Sequence, residues 1–482
     1  MANSHSKLLK KGIAWSSIGQ IGTQVVSFGF GIILARLLLP SEFGLLAMVM
    51  VFTGLAEIFK DLGFGAAIIQ KKDISDEDLS TSFWLNIIVG VILFFIFYFT
   101  SDLIAKFYDN PIIAAITKIV AINFIISAIS ATHQSLVIRD LNFKLRAAFD
   151  LGSLLVSSII GVYFAINGYG VWSLVVSLIT RNILLTICYW LYVTWKPKII
   201  FNKNSFSNLS KFGSVATLNS FLGYLSKNTD NLIIGKLLGD YSLGLYSRAY
   251  GLMLLPIRNI SGGFKTAMFP ILSKIQDDKI EVKRLYLKST KLIAFISFPL
   301  MFGLSALSEP FVLFLYGDNW INMIPILKLL SLLGAISSLM TFNGTIFYSM
   351  GKPVIETKIY LVTTPILIAA FIAGIKTGGL IGVAVALIIV ELGFVYYKVS
   401  FMKALIELRF FEFINNIKII FFNTIIMYVI LETINYLEIL KDMNNFIQLI
   451  ILLFVGTLLY GFLSILNSKE NVLEFKNLII RK

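Results

Sequence analysis

The segment LIIGKLLGDYSLGL (residues 232–245) repeats, 200 positions later, the segment IILARLLLPSEFGL (residues 32–45). The two segments align without a gap, and each joins two apolar stretches through a short polar turn. Five positions of the first copy have an identical partner in the second: Ile33, Leu37, Leu38, Gly44 and Leu45. A cation recurs as well, because Arg36 aligns with Lys236. The chain therefore contains a duplicated hairpin, and the duplication sets the expected fold.

The composition around this hairpin is that of a membrane protein. The chain has 482 residues, of which 57% are hydrophobic and 14% are charged, whereas a soluble domain carries about a quarter charged residues. Apolar runs of roughly 20 residues, the length that crosses a bilayer as a helix, recur from end to end. We therefore expect an all-α polytopic membrane protein.

About fourteen transmembrane helices are predicted from these runs. Their approximate bounds are 13–35, 43–66, 83–101, 112–136, 148–167, 170–194, 212–238, 243–270, 290–315, 322–348, 357–375, 378–402, 414–433 and 446–466.

The distribution of cations predicts which side of the membrane each connection faces. Most of the 41 lysines and arginines fall in alternate connections, which the positive-inside rule assigns to the cytoplasm. The opposite connections hold only Arg36, Lys106, Lys236, Lys376 and Lys441. Both termini are therefore predicted to be cytoplasmic, in a multi-pass protein of the inner (cytoplasmic) membrane.

The repeat predicts the organisation of the spans. Six spans separate the two copies, so both copies enter the membrane with the same orientation. This describes two parallel six-helix halves with pseudo-two-fold symmetry around a central cavity, an arrangement typical of transporters. The predicted domains are an N-terminal half (1–211), a C-terminal half (212–405), and an extra helix pair with a cytoplasmic tail (406–482).

Several classes of site are disfavoured. The net charge of +14 follows from the cytoplasmic loops and does not indicate nucleic acid. The single cysteine, Cys188, and two distant histidines, His5 and His133, offer no metal site. We expect no cofactor and no catalytic residue, and we expect a monomer.

Charged residues within the spans are the candidate substrate-binding residues, because an ionisable group in hydrocarbon usually faces a partner or a wet cavity. We select Arg181, Lys227, Asp230, Arg248, Arg258 and Lys265. The first copy of the repeat has uncharged residues at the positions matching the last five, so the fold does not need those charges. Clustered cations suit an anionic ligand, because Arg and Lys pair well with phosphate oxygens. The alternative that Lys118 and Lys265 reach towards an interface stays open, as do the roles of Lys328 and Glu391.

Two of these residues are expected to form an ion pair. Asp230 lies six residues before Lys236, and Arg248 lies six residues after Ser242. At about 1.5 Å per residue, both lie about 9 Å beneath the outer surface, on adjacent helices. The pair would leave Lys227 facing the cavity.

The segments ARLLLPSEFGLLAM (35–48), DNLIIGKLLG (230–239) and LGLYSRAYGLMLLP (243–256) resemble the polysaccharide flippases. These form the branch of colanic and teichuronic acid exporters in the multidrug/oligosaccharidyl-lipid/polysaccharide exporter superfamily. The resemblance covers nearly the whole chain. It implies alternating-access transport of an undecaprenyl-pyrophosphate-linked oligosaccharide to the outer leaflet, for surface polysaccharides such as lipopolysaccharide or exopolysaccharide.

Two other functions are alternatives to this one. A multidrug exporter of the same superfamily would be favoured by acidic residues in the first span, which has none. A membrane polysaccharide polymerase or ligase should carry a large outer loop or clustered His, Asp and Arg residues, and neither is visible. The expected partners are the lipid-linked oligosaccharide, the bilayer and a polysaccharide polymerase.

Overall fold

The computed structural model describes residues 2–60, 64–71, 73–200, 202–469 and 472–473. These residues form helices and no β-strand, which confirms the predicted all-α class. The chain divides into two compact units, Met1–Gly244 and Leu245–Lys482, and each is described by itself. The predicted domain boundaries at 211 and 405 are a different division, and they stay predictions.

The first unit is built from seven helices and the beginning of an eighth among the described residues. They are α1 (Ala2–Leu37), α2 (Pro40–Lys60), α3 (Phe64–Gln70), α4 (Asp76–Tyr108), α5 (Ile112–Arg139), α6 (Phe143–Ile166), α7 (Val171–Tyr192) and the first arm of α8 (Lys203–Lys274).

The second unit contains the other arm of α8 and the helices that follow. They are α9 (Lys279–Ala306), α10 (Ser308–Leu315), a 3-10 turn (Asp318–Met323), α11 (Ile324–Met340), α12 (Asn343–Ser349), α13 (Val354–Ile406), α14 (Phe410–Tyr436) and α15 (Asn445–Asn467).

Eleven stretches of the described residues are long and apolar enough to cross a membrane. One of them, α13, has 53 residues and would be about 80 Å long if straight, far more than the roughly 30 Å of hydrocarbon. Its backbone is non-helical at Gly378 and Gly379. The two arms pack closely beside this break, since a side chain on Gly382 would overlap the carbonyl of Gly374. It therefore forms two spans. The eleven stretches do not include α8, and the total of fourteen stays a prediction.

The two copies of the repeat break at matching positions. Helix α1 ends at Leu37 and α2 begins at Pro40, while α8 is interrupted by non-helical backbone at Gly239, with φ 81°. Residue 239 is the partner of residue 39 in the alignment. The turn that the sequence places between two apolar arms is therefore present in both copies.

The turns of the two copies also contact each other through their matching glycines. A side chain on Gly44 would overlap the carbonyl of Asp240, and a side chain on Gly244 would overlap the carbonyl of Pro40. In the alignment of the two copies, residue 44 matches residue 244 and residue 40 matches residue 240. Each contact is therefore the counterpart of the other under a local two-fold axis. The backbone of one turn lies directly against that of the other.

Small residues bring the helices of the first unit together, as expected for helix packing in a membrane. Gly19 of α1 faces the side chain of Ala147 of α6 at a distance that leaves no room for a Cβ atom, and Gly22 faces Leu151 one turn later. Helices α1 and α6 therefore pack closely along these two turns.

The connection between α7 and α8 is held against the start of α4. The Lys198 amide donates to Ser80 Oγ at 3.1 Å, and Trp84 Nε1 donates to the Lys198 carbonyl at 2.9 Å. Lys198 Nζ pairs with Asp76 at 2.6 Å. These bonds fix the path of the chain up to the beginning of α8.

The C-terminal helix pair is joined to α9 by polar contacts in the second unit. Asn416 and Asn435 of α14 donate to backbone carbonyls of α9, at Leu287 (2.9 Å) and Ala306 (2.8 Å). The Tyr460 hydroxyl of α15 donates to the Phe295 carbonyl at 2.9 Å. Both ends of α14 are therefore anchored, and the extra pair is part of the second unit.

Candidate functional site

The six predicted site residues fall on both units. Arg181 lies on α7, Lys227 and Asp230 lie on the first arm of α8, and Arg248, Arg258 and Lys265 lie on its second arm. The Asp230–Arg248 ion pair would join one unit to the other, and it stays a prediction. The side chain of Lys227 lies outside the described part of the chain.

The two cations farther along α8 are accessible. Arg258 and Lys265 are both exposed, and a spacing of seven residues places them on one face of the helix, two turns apart. Asp230, by contrast, is 5% exposed. The Arg248 side chain lies near that of Tyr316 in the second unit.

Arg181 is half-buried in the first unit. Its Nε atom is buried and has no hydrogen-bond acceptor among the residues that the structure describes. The adjacent Asn182 joins α7 to α5 through a 3.1 Å hydrogen bond from its Nδ2 to Asn123 Oδ1, so this turn of α7 is held in place.

A polar cavity of about 240 Å³ lies beside Asp150, between α1 and α6. Its lining consists of Ser16, Gly19, Gln20, Thr23, Phe143, Arg146, Ala147 and Asp150. Arg146 and Asp150 form the charged pair of this cavity. They lie one turn apart on α6, and the Arg146 Nε atom is 3.8 Å from Asp150 Oδ2. Hydroxyl and amide groups of α1 form the opposite wall.

This pair is not among the residues predicted from the sequence. The predicted span 148–167 leaves Arg146 in the connection before it, but α6 begins at Phe143 and carries Arg146 in its first turn. Asp150 was not singled out. The available signal was the i, i+4 spacing of an arginine and an aspartate at the start of a span.

Other charged residues within the helices form ion pairs. Lys328 of α11 pairs with Glu432 of α14 at 2.8 Å, and Lys398 pairs with Glu391 along α13 at 3.0 Å. These contacts assign a structural role to Lys328 and Glu391, which the sequence left undecided. Lys118 lies 3.6 Å from Asp102.

Lys236, in the second copy of the repeat, and the buried His133 also have structural roles. Lys236 binds Asp109 at 2.6 Å, so it is a paired charge on the surface. His133 is buried and stacks on Trp190 with a ring separation of 4.5 Å, so its ring packs between helices α5 and α7.

Comparison with known proteins identifies relatives over most of the chain. A family model described as polysaccharide biosynthesis protein matches residues 33–325. The chain is 28% identical to the teichuronic acid biosynthesis protein TuaB of Bacillus subtilis (strain 168) over 388 residues, 79% of each chain. It is also 28% identical to the lipopolysaccharide biosynthesis protein WzxC of Escherichia coli (strain K12), over 79% of this chain and 78% of that one.

Solved structures of transporters share the fold. The lipid II flippase MurJ, in an inward closed conformation, superposes with a TM-score of 0.76 over 95% of this chain and 99% of its own, at 16% identity. An inward-facing multidrug resistance transporter of the MATE family gives a TM-score of 0.65 over 80% of this chain and 95% of its own, at 14% identity. At these identities the likeness concerns the fold.

Proposed function

The chain belongs to the polysaccharide biosynthesis protein family, and on that premise we propose that it flips undecaprenyl-pyrophosphate-linked oligosaccharide repeat units. The units move from the cytoplasmic to the outer leaflet, for the synthesis of lipopolysaccharide, capsule or exopolysaccharide. The observation that carries this proposal is the relationship, over 79% of the chain, to proteins of teichuronic acid and lipopolysaccharide biosynthesis. The chain acts as a transporter and not as an enzyme, in the cytoplasmic membrane with both termini in the cytoplasm.

The chemistry of the substrate explains the charged residues in the proposed route. A saccharide and a pyrophosphate cannot cross hydrocarbon without polar partners, and arginine and lysine bind phosphate oxygens through charge-assisted hydrogen bonds. The proposed route therefore includes Arg181, Lys227, Asp230, Arg248, Arg258 and Lys265. In alternating access, the substrate-binding site opens first to one side of the membrane and then to the other.

The membrane potential helps to drive this movement. The pyrophosphate carries about two negative charges, and moving one charge through 100 mV changes its free energy by about 2.3 kcal/mol. An interior-negative potential thus favours outward transfer of the anion without an ion gradient. In proteoliposomes held at that voltage, we expect flipping to continue after every cation gradient is collapsed, and an arrest would indicate obligatory antiport.

A deletion strain tests the function itself. Without this protein, the surface polysaccharide should be lost and lipid-linked repeat units should accumulate on the cytoplasmic side of the membrane. Restoring the chain should reverse both effects and leave susceptibility to cationic drugs unchanged. Normal polysaccharide in the deletion strain, together with increased drug susceptibility, would instead favour the multidrug exporter.

The site assignment is tested by single substitutions. Arg258→Ala should abolish export while the protein stays inserted and abundant, because the phosphate loses a charged partner. Lys274→Ala is the matched control, since Lys274 is an exposed cation at the end of the same helix.

For the Asp230–Arg248 pair, exchanging the two residues should restore part of the export that either alanine substitution removes. Full complementation by Arg258→Ala, or an exchange no better than the single changes, would overturn these assignments.

A further inference from the structure

The cavity between α1 and α6 lies near the cytoplasmic end of both helices in the predicted topology. No Cβ atom fits between Gly19 and Ala147, and the longer side chains beside this contact leave a cavity of about 240 Å³. Asp150 on its wall precedes the end of α6 at Ile166 by sixteen residues, or about 24 Å at 1.5 Å per residue. The cavity therefore lies on the side from which the proposed function takes up its substrate.

The charges of the lining balance each other. Among the described residues, the lining contains one arginine, Arg146, and one carboxylate, Asp150. The Arg146 Nε and Asp150 Oδ2 atoms are 3.8 Å apart, beyond the 2.7–3.2 Å of a hydrogen bond. Their side chains are 39% and 29% exposed, so a ligand can reach both. The carboxylate repels an anion and the guanidinium repels a cation, so this lining favours an uncharged polar ligand.

The remaining polar side chains of the lining offer both donors and acceptors. The Thr23 hydroxyl donates to the carbonyls of Gly19 and Gln20, each at 2.9 Å, so its oxygen keeps lone pairs for a ligand. The Gln20 amide and the Ser16 hydroxyl both donate and accept, whereas the guanidinium only donates and the carboxylate only accepts. Each hydroxyl of a polyol also donates one hydrogen bond and accepts others. Such a ligand is satisfied by a mixed wall of this kind.

An aromatic ring and the size of the cavity narrow the choice to a sugar. Phe143 contributes a phenyl ring to the lining, and a pyranose has a face of C–H groups that packs on an aromatic ring while its hydroxyls point outward to polar partners. A volume of about 240 Å³ is below the roughly 300–1,000 Å³ of a site for a drug-sized ligand. The cavity therefore has room for one sugar ring and not for a longer saccharide.

We propose that this cavity is a subsite for one uncharged sugar ring of the lipid-linked saccharide, and that the balance of Arg146 and Asp150 excludes acidic sugars from it. In this arrangement Arg146 donates to sugar hydroxyls, Asp150 accepts from them, and Phe143 packs against the ring. The inference rests on the proposed function and deepens it, because it names the class of sugar that this part of the chain selects.

The selectivity is tested with matched neutral and acidic sugars. We would measure, by saturation-transfer NMR, the binding of methyl glucoside, methyl galactoside and their uronic acid counterparts to the full-length protein in phosphatidylcholine nanodiscs. At least one neutral glycoside should bind, and its acid about tenfold more weakly. Asp150→Asn should strengthen binding of the acid by about tenfold or more, because the repelling charge is gone and Arg146 gains an anionic partner. Asp102→Asn is the matched control, since Asp102 is an exposed carboxylate on α4, outside the cavity.

The opposite wall is tested by one pair of glutamines. Gln20→Ala should weaken binding of the neutral glycoside about threefold to tenfold, because one side-chain hydrogen bond is lost. Gln24→Ala is the matched control, since Gln24 lies one turn later on α1 and outside the lining. Equal effects of the two changes would overturn the proposal, as would an Asp150→Asn variant that still rejects the acid. Thermal unfolding identifies any misfolded variant, and the near-isosteric Asp150→Asn then decides.

A competition experiment connects the subsite to the lipid-linked saccharide. Undecaprenyl diphosphate that carries one neutral sugar should displace the bound glycoside, and undecaprenyl diphosphate alone should not. Displacement by both lipids, or by neither, would overturn the proposal. Failure of every neutral glycoside to bind, in a chain that its strain needs for export, would remove this inference alone. Selective binding of a neutral glycoside, with normal export in the deletion strain, would remove the proposed function and leave a sugar site.

Discussion

At the scale of single residues, a charge in an apolar helix is stable when its counter-charge is near. Lys328 and Glu432 meet across α11 and α14 at 2.8 Å, although 104 residues separate them in the chain. The Lys328 carbonyl also accepts a 3.0 Å hydrogen bond from Ser305. This pair joins the C-terminal helix pair to the rest of the second unit, so its role is structural.

We predict that Lys328→Ala and Glu432→Ala each lower the free energy of unfolding by about 1–3 kcal/mol, because each leaves a partly buried charge without its partner. Exchanging the two residues should restore much of the loss. Glu438→Ala is the control, since its pair with Lys441 is exposed at a turn and such pairs contribute about 0–1 kcal/mol. Thermal or denaturant unfolding in detergent measures all four, and equal effects at both pairs would contradict the assignment.

At the scale of elements, the contact between the two repeated turns depends on the absence of side chains. The glycines at 44 and 244 each face a backbone carbonyl, of Asp240 and Pro40 respectively. A carbonyl in a packed backbone cannot rotate away as a flexible side chain can. The contact therefore tolerates no larger residue without separation of the two turns.

We predict that Gly44→Ala and Gly244→Ala each destabilise the protein by about 1–3 kcal/mol, the usual effect of overpacking, and that the two changes produce similar losses because the contacts are reciprocal. Gly251→Ala is the matched control, since it lies in the same long helix α8 with open space around its Cα atom. It should be neutral or slightly stabilising, because alanine favours a helix. Unfolding midpoints measure the three variants, and a harmless Gly44→Ala would show that the two turns separate readily.

At the scale of the whole molecule, the distribution of cations predicts how the chain is inserted. The connection between α7 and α8 holds Lys196 and Lys198, and α8 begins at Lys203. The connection between α8 and α9 is flanked by Lys274 at the end of α8 and Lys279 at the start of α9. The turn between α14 and α15 carries a single lysine, Lys441, beside Glu438 and Asp442. The positive-inside rule assigns the first two to the cytoplasm and the third to the outside.

We predict that a cysteine at position 205, in a Cys188→Ala background, is not labelled by an impermeant thiol reagent in intact cells and is labelled after permeabilisation. A cysteine at position 442, where the side chain is exposed, should react in intact cells and serves as the control. The reagent reaches only the outer face, so the pattern reports the orientation directly. Labelling of position 205 from outside would reverse the predicted topology.

The sequence by itself determined the helical class, most of the spans and the duplicated hairpin. Hydropathy is a local property, and about 20 apolar residues must form a helix in hydrocarbon because no water is present to bind the backbone. The break at Gly239 was likewise readable, since it repeats the turn at residues 38 and 39.

Only the tertiary structure decided which charges meet. Helices that are apolar on every face carry no stripe that reveals their rotation, so the sequence could not place Glu432 beside Lys328. Nor could it show that the backbones of two turns 200 residues apart are in contact at Gly44 and Gly244. Each of these contacts depends on the rotation and depth of packed helices, which distant parts of the chain fix together.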